Sequence, residues 1–305
     1  MMSEELTASK RGLWIGHLFA LLSVTIWGTS FIVSKNIMAH ISPIQLMWLR
    51  FILAYITLWL LHPKWHFKWR DEAQFLMLAM LANTLYFLAE NTALTLTQAS
   101  NVSILVSTAP ILSALLIRLF KQNERLSRYQ TLGYGIAFIG VVCVVLNGVI
   151  VLQLRPAGDL LAFSAALLWA IYGILARKAL EKFDSFLITR KLMFYGILTS
   201  IPMLLAEREP LALTPLLTPG SIFSLLYLGI VCSAMCYLMW NRAIRQIGTL
   251  KTNLYMYAIP MVTMLAGTVF LNETVTLMGA IGIVLVIGGM LLSNLGGKKK
   301  SGGIE

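Results

Sequence analysis

Apolar residues along this chain come in long, nearly unbroken runs. They follow neither the alternation of a strand nor the narrow stripe of a surface helix. A helix needs about 20 mostly apolar residues to cross a bilayer. Ten segments reach or approach that length, near 13–34, 43–61, 74–96, 101–119, 128–147, 158–177, 188–206, 220–240, 252–271 and 277–295. The second and seventh fit least well, because Arg50 and Arg190–Lys191 interrupt their early turns. The short alternating segments of a membrane β-barrel are absent. The pattern predicts an all-α integral membrane protein with ten transmembrane helices.

The polar punctuation of these runs repeats. From Asn91 to Gly140 the order is Asn, a proline inside an apolar run, an acidic turn and two spaced glycines, and it recurs from Asn241 to Gly289. Asn91, Ala93, Pro110, Leu115 and Phe120 meet Asn241, Ala243, Pro260, Leu265 and Phe270 at an offset of 150. After a one-residue slip, Glu124, Ser127, Gly133 and Gly140 meet Glu273, Thr276, Gly282 and Gly289 at 149. The first and sixth segments match at 142, with Gly16, Ala20, Trp27, Ile32 and Lys35 against Gly158, Ala162, Trp169, Ile174 and Arg177. Each half then holds five segments. An odd number makes the second half enter the membrane from the opposite side, so two inverted five-helix repeats are expected, at 13–147 and 158–295. The Gly/Lys-rich tail, 296–305, is expected to be disordered.

Charge orients the scheme. With the N-terminus cytoplasmic, 20 of the 24 Lys and Arg residues fall on the inner side. Lys35, Arg155 and Arg208 fall outside, with Arg50 about two turns in from that face. This bias predicts a multi-pass protein with both termini cytoplasmic. The chain is 58% hydrophobic and 12% charged, with a mean hydropathy of +0.78. A soluble domain carries about a quarter charged residues, so the solvent here is lipid. The net charge of +11 sits in short clusters between apolar runs, which argues against nucleic acid as a partner.

The paired stretches resemble the two EamA-type domains of the drug/metabolite transporter superfamily, from about Trp14 to Leu295. The motifs that carry the resemblance are the Pro110 and Pro260 helices, Asn-Glu at 123–124 and 272–273, and Gly133/Gly140 with Gly282/Gly289. The resemblance implies ten helices, inverted repeats and a cavity between the halves for small metabolites. Many members export amino acids or related compounds. The function it implies is a secondary transporter of the plasma (inner) membrane, moving an amino acid or amine-like compound outward by alternating access. Uptake or exchange of a nucleoside, sugar phosphate or organic cation stands as the alternative, as does a passive channel. The expected partners are a small-molecule substrate, membrane lipid and protons, in a monomer or homodimer without a cofactor.

Candidate chemistry lies in polar groups that lipid would not tolerate. Pro110 and Pro260 fall near the middle of the fourth and ninth segments. Each lacks an N–H and leaves the carbonyl four residues back, of Val106 or Met256, without its helical partner. The expectation is a pair of symmetric kinks that line the cavity and hinge; a passive bend is the alternative. Asn83, Tyr86, Asn91, Asn101, Ser107, Tyr237, Trp240, Asn253 and Tyr257 are candidate substrate-binding residues, because such groups face other helices or a wet cavity. Trp27 and Trp169 occupy matching places and either wall the cavity or pack helices. The Trp65–Trp69 cluster reads as an interfacial belt. Arg50 is expected to snorkel to the outer interface rather than bind substrate.

Glu90 is the acid set inside an apolar run and away from the loops. It lies about 24 Å along the third segment from Gln74 at 1.5 Å per residue. Three roles fit it: a proton carrier, a holder for a substrate ammonium group, or a structural group paired with Arg50 or exposed at the outer interface. Glu124 and Glu273 read as turn architecture, ahead of helix caps at Ser127 and Thr276, with Ser127 and Gln130 forming a capping box. An enzyme would need a metal cluster, paired carboxylates or an activated nucleophile. His17, His40, His62 and His66 do not cluster with acids within helices, and Cys143, Cys232 and Cys236 form no metal or disulfide pattern. No catalytic or metal-binding residue is predicted.

Overall fold

The computed structural model describes residues 2–64, 66–96, 99–120, 127–146, 155–207, 216–271 and 275–298. Among them every regular element is a helix. In chain order these are α1 (Met2–Ile37), α2 (Pro43–Leu61), α3 (Trp69–Ala79), a π-helical turn Met80–Thr84, α4 (Leu85–Leu96), α5 (Ala99–Val106), α6 (Ala109–Phe120), α7 (Arg128–Leu146), α8 (Pro156–Lys182) and α9 (Ser185–Glu207). There follow α10 (Pro219–Leu226), a second π-helical segment Tyr227–Met235, α11 (Cys236–Ile247), α12 (Thr249–Leu254), a 3-10 turn Tyr255–Tyr257, α13 (Ala258–Leu271) and α14 (Leu277–Lys298).

Six helices among the described residues are long and apolar enough to cross a membrane: Gly12–Ser30, Pro43–Leu61, Trp69–Ala93, Arg128–Leu146, Pro156–Lys182 and Pro219–Ile247. Ile104–Leu119 and Leu277–Ser293 are apolar but shorter. The outward faces are greasy: Leu60 is 81% exposed, Leu205 73% and Phe223 71%. Such exposure costs little in lipid and a great deal in water. The structure is thus that of a multi-pass helical membrane protein.

Helix starts follow local chemistry. Ser42 caps α2 by accepting from the Gln45 N–H at 3.1 Å, Gln45 returns the bond to the Ser42 N–H, and Pro43 stands in the first turn. The capping box expected at Ser127 and Gln130 opens α7, and Thr276 caps α14 through the Gly279 N–H at 3.2 Å. Glu124 and Glu273 lie outside the described residues, as do Trp65 and 299–305. Several ends differ from expectation. The third stretch begins at Trp69, and the sixth and eighth continue to Lys182 and Ile247. Helix residues facing water beyond the bilayer are charged rather than apolar, so the apolar runs understate helix length. Residues 296–298, expected to be disordered, continue α14.

The expected proline kinks are breaks. The chain turns at Ser107–Thr108, where the Thr108 hydroxyl donates to the Leu105 carbonyl at 2.6 Å, and α6 starts afresh at Ala109. The 3-10 turn Tyr255–Tyr257 does the same before α13. Pro110 and Pro260 therefore sit in the first turn of a new helix, where a missing N–H costs nothing.

Glycines set the closest helix contact. A Cβ on Gly133 would lie 2.6 Å from the Gly289 carbonyl oxygen, and one on Gly140 would lie 2.7 Å from that of Gly282. The repeated glycines thus face each other along the antiparallel pair α7–α14. Small residues let membrane helices meet backbone to backbone.

Candidate substrate site

The largest apolar cluster among the described residues includes five aromatic rings in mutual contact, with a sixth, Trp27, packed against them. Trp27 comes from α1, Tyr86 from α4, Trp169 and Tyr172 from α8, and Tyr237 and Trp240 from α11. The Trp27 ring centre lies 5.1 Å from that of Trp240, 5.7 Å from Trp169 and 5.8 Å from Tyr237. Trp169 lies 5.3 Å from Tyr86 and 5.4 Å from Tyr172. Trp27 is half-buried and the other five are buried, so the cluster has one more open wall.

Some polar tips of these rings are tied down. Trp27 Nε1 donates to the Cys232 carbonyl at 3.0 Å, and the Tyr237 hydroxyl to the Ala82 carbonyl at 3.0 Å. The Tyr172 hydroxyl donates to Asn241 Oδ1 at 2.5 Å, and Asn241 Nδ2 to Thr189 Oγ1 at 3.0 Å. The indole N–H groups of Trp169 and Trp240 have no acceptor among the described residues.

The cluster carries one carboxylate. Tyr86, four residues before Glu90 on the same helix face, donates its hydroxyl to Glu90 Oε1 at 2.8 Å. Glu90 is 6% exposed, which removes simple exposure at the outer interface from the alternatives considered for it. Arg50 lies within electrostatic reach of both Glu90 and Tyr86. The expected snorkelling of Arg50 does not occur: it is 7% exposed, donates from Nε to Ser233 Oγ at 3.2 Å and lies 5.1 Å from the centre of the Phe87 ring. A cation gains from a ring face and from the nearby carboxylate, and these replace the water that snorkelling would have reached.

Two π-helical segments frame this core. A π turn inserts a residue and turns local side chains, and such turns occur often at functional sites. Met80–Thr84 places Asn83 against α9, where Nδ2 donates to the Leu192 carbonyl at 2.9 Å. Tyr227–Met235 places Ser233 against α2, where it meets Arg50.

Of the candidate residues, Trp27, Tyr86, Glu90, Trp169, Tyr237 and Trp240 meet in this cluster, with Asn83 at its edge. Asn91 lies elsewhere, in a cleft of about 170 Å³ with Met47, Phe87 and Glu207. Asn253 donates to Ser113 Oγ at 2.6 Å, and Tyr257 packs in a separate apolar cluster with Tyr134 and Val286. Ser107 is buried in the turn before α6. Asn101 lies in α5, and its side chain falls outside the described residues. Arg50, Tyr172 and Asn241 join this cluster; Arg50 was expected to snorkel instead, and Tyr172 was not singled out in the sequence. The i, i+3 spacing of Tyr172 from Trp169 was the available signal.

A greasy exterior around a buried, charged and aromatic interior is the construction of a helical membrane protein with polar groups inside it. The EamA-like transporter family model matches the chain over residues 14–146 and again over 156–295. The chain belongs to that family and is a transporter, not an enzyme. It is 30% identical to an uncharacterized transporter of Archaeoglobus fulgidus, over 91% of this chain and 96% of that one. It is 27% identical to a Salmonella typhimurium protein named a probable amino-acid metabolite efflux pump, over 91% and 94%. It is 26% identical to a probable terminal-alkyne amino-acid exporter of Streptantibioticus cattleyicolor, over 64% of each. A solved crystal structure superposes with a TM-score of 0.74 over 92% of this chain and 96% of that one, at 18% identity.

Proposed function

We propose that this transporter exports a zwitterionic amino acid through the Trp27–Trp169–Trp240 cluster, by alternating access of two inverted five-helix halves. The carrying observation is that a buried carboxylate and a buried guanidinium, Glu90 and Arg50, stand together beside these aromatic faces. A substrate ammonium group matches Glu90 and the ring faces. A substrate carboxylate matches Arg50 and the unpaired indole donors of Trp169 and Trp240. A zwitterion therefore keeps the site neutral, whereas an amine or an acid alone leaves an uncompensated charge in a low-dielectric interior. The amino-acid names of two relatives agree with this reading.

Packing supports the inverted halves. Exchanging each helix for its counterpart turns the α1–α11 contact into α8–α4, the α2 contact with the second π segment into that of α9 with the first, and α7–α14 into itself. A two-fold axis in the membrane plane produces this self-mapping. The basic-residue bias supports an orientation with both termini in the cytoplasm, and the proposed membrane is the plasma membrane. A cysteine at the exposed Lys68 that reacted only from outside the cell would reverse that orientation.

The test is exchange in liposomes containing the pure protein. Labelled amino acids should exchange with saturation. The matching decarboxylated amines and N-acylated acids should compete at least about tenfold less well, the cost of one lost charge-assisted bond. Flux that rises linearly without saturation would point to a channel, and equal competition by the amines would remove the role given to Arg50.

A further inference from the structure

We propose a second binding site, for a phosphate-bearing anion, at the basic end of the bundle where α2, α9 and α11 meet. It does not depend on the transport reading. A cavity of about 590 Å³ opens there, within the size range of roughly 300–1,000 Å³ common to ligand clefts. Its walls carry His62 and Lys64 after α2, Asp184 and Ser185 at the start of α9, and Arg242 and Arg245 on α11. Arg242 and Arg245 are three residues apart, so they share one helix face.

The charges are unbalanced. Asp184 is the acid in the wall, and its Oδ1 accepts from the Leu187 N–H at 3.0 Å as a cap. Lys64, Arg242 and Arg245 have no ion-pair partner among the described residues. Their neighbour Lys191 differs, because Glu72 holds it at 2.7 Å. The positive end of the 23-residue α9 dipole points into the same wall. Arg190 braces that wall by donating to the His62 carbonyl at 2.6 Å and to the Lys64 carbonyl. A tetrahedral anion of more than one charge suits two forked guanidinium groups and an ammonium better than a single carboxylate does. Leu60 and Leu61, the two residues before His62 in the chain, are exposed. The phosphate can therefore belong to a lipid headgroup with its chains along α2, or to a free solute.

The experiment uses the full chain in a neutral detergent and follows its thermal midpoint. Phosphatidylglycerol in mixed micelles and inorganic phosphate are titrated separately, at constant ionic strength with chloride. Saturable stabilisation by at least one probe is expected. Stabilisation by phosphatidylglycerol alone assigns a headgroup, and stabilisation by inorganic phosphate assigns a free solute. In the Arg242→Gln/Arg245→Gln variant the apparent affinity should fall at least about tenfold, since two charge-assisted bonds are lost. Lys64→Gln, in an exposed loop, gives the same direction of change if the double variant does not fold. Absence of saturable stabilisation by either probe, or unchanged affinity in a folded variant, overturns the proposal.

Discussion

At the scale of single residues, Glu90 decides most of the chemistry. It is a buried carboxylate with the Tyr86 hydroxyl as its bonded donor and Arg50 as its charged neighbour. Glu90→Gln preserves shape and removes charge. If Glu90 holds the substrate ammonium group, binding should weaken at every pH, by about tenfold or more for a charge-assisted bond worth roughly 1.5–3 kcal/mol. Tyr86→Phe should move affinity the same way by less. Wild-type exchange with loss only of the response to a pH gradient would make Glu90 a proton carrier instead. Unchanged binding, exchange and pH response would leave it a structural group. Glu90, Trp27 and Trp169 were legible because an acid in an apolar run and a repeated indole both stand out against their surroundings. Arg50 was misread because its burial depends on Ser233, which lies 183 residues away, and no local pattern announces that contact.

At the scale of elements, hydrophobic length located the helices and missed how they are interrupted. The π turns at Met80–Thr84 and Tyr227–Met235 leave no mark on hydropathy, since a π turn changes hydrogen-bond register and not residue type. The proline positions were legible as disturbances, but a kink and a fresh helix start share the same missing N–H. The glycine repeat became meaningful only once α7 and α14 lay side by side. It makes a sharp prediction. On Gly289 a Cβ would stand 2.4 Å from the Ala137 backbone nitrogen and 2.6 Å from the Gly133 carbonyl oxygen, while on Gly288 it meets nothing within 4 Å. Gly289→Ala should lower the thermal midpoint by an amount matching about 1–3 kcal/mol of overpacking, and Gly288→Ala should leave it unchanged or slightly higher. Equal midpoints for the two variants would mean that α7 and α14 do not pack through these glycines.

At the scale of the whole molecule, α2 and α9 form the seam that the proposed alternating access would part. They run antiparallel and are fastened at both ends. Near one end the Ser42 hydroxyl donates to Glu207 Oε2 at 2.7 Å, beside the cleft that holds Asn91. Near the other end Arg190 donates to the carbonyls of His62 and Lys64. Between them lies the contact of Arg50 with Ser233 and, beyond it, the aromatic cluster. Under the alternating access proposed above, the two fastenings would open one at a time, because opening both would make a channel. Ser42→Cys/Glu207→Cys, in a chain lacking Cys143, Cys232 and Cys236, lets a short thiol-reactive linker close one end at will. Cross-linked protein in liposomes should still bind substrate from the opposite face and should lose exchange, and a reductant that cleaves the linker should restore it. The Arg190 end should remain free to open in that locked state, so a reporter cysteine at exposed Lys64 should keep its reactivity. Full exchange by completely cross-linked protein would show that the α2–α9 seam stays closed at that end during transport, and that the route to Glu90 runs between other helices.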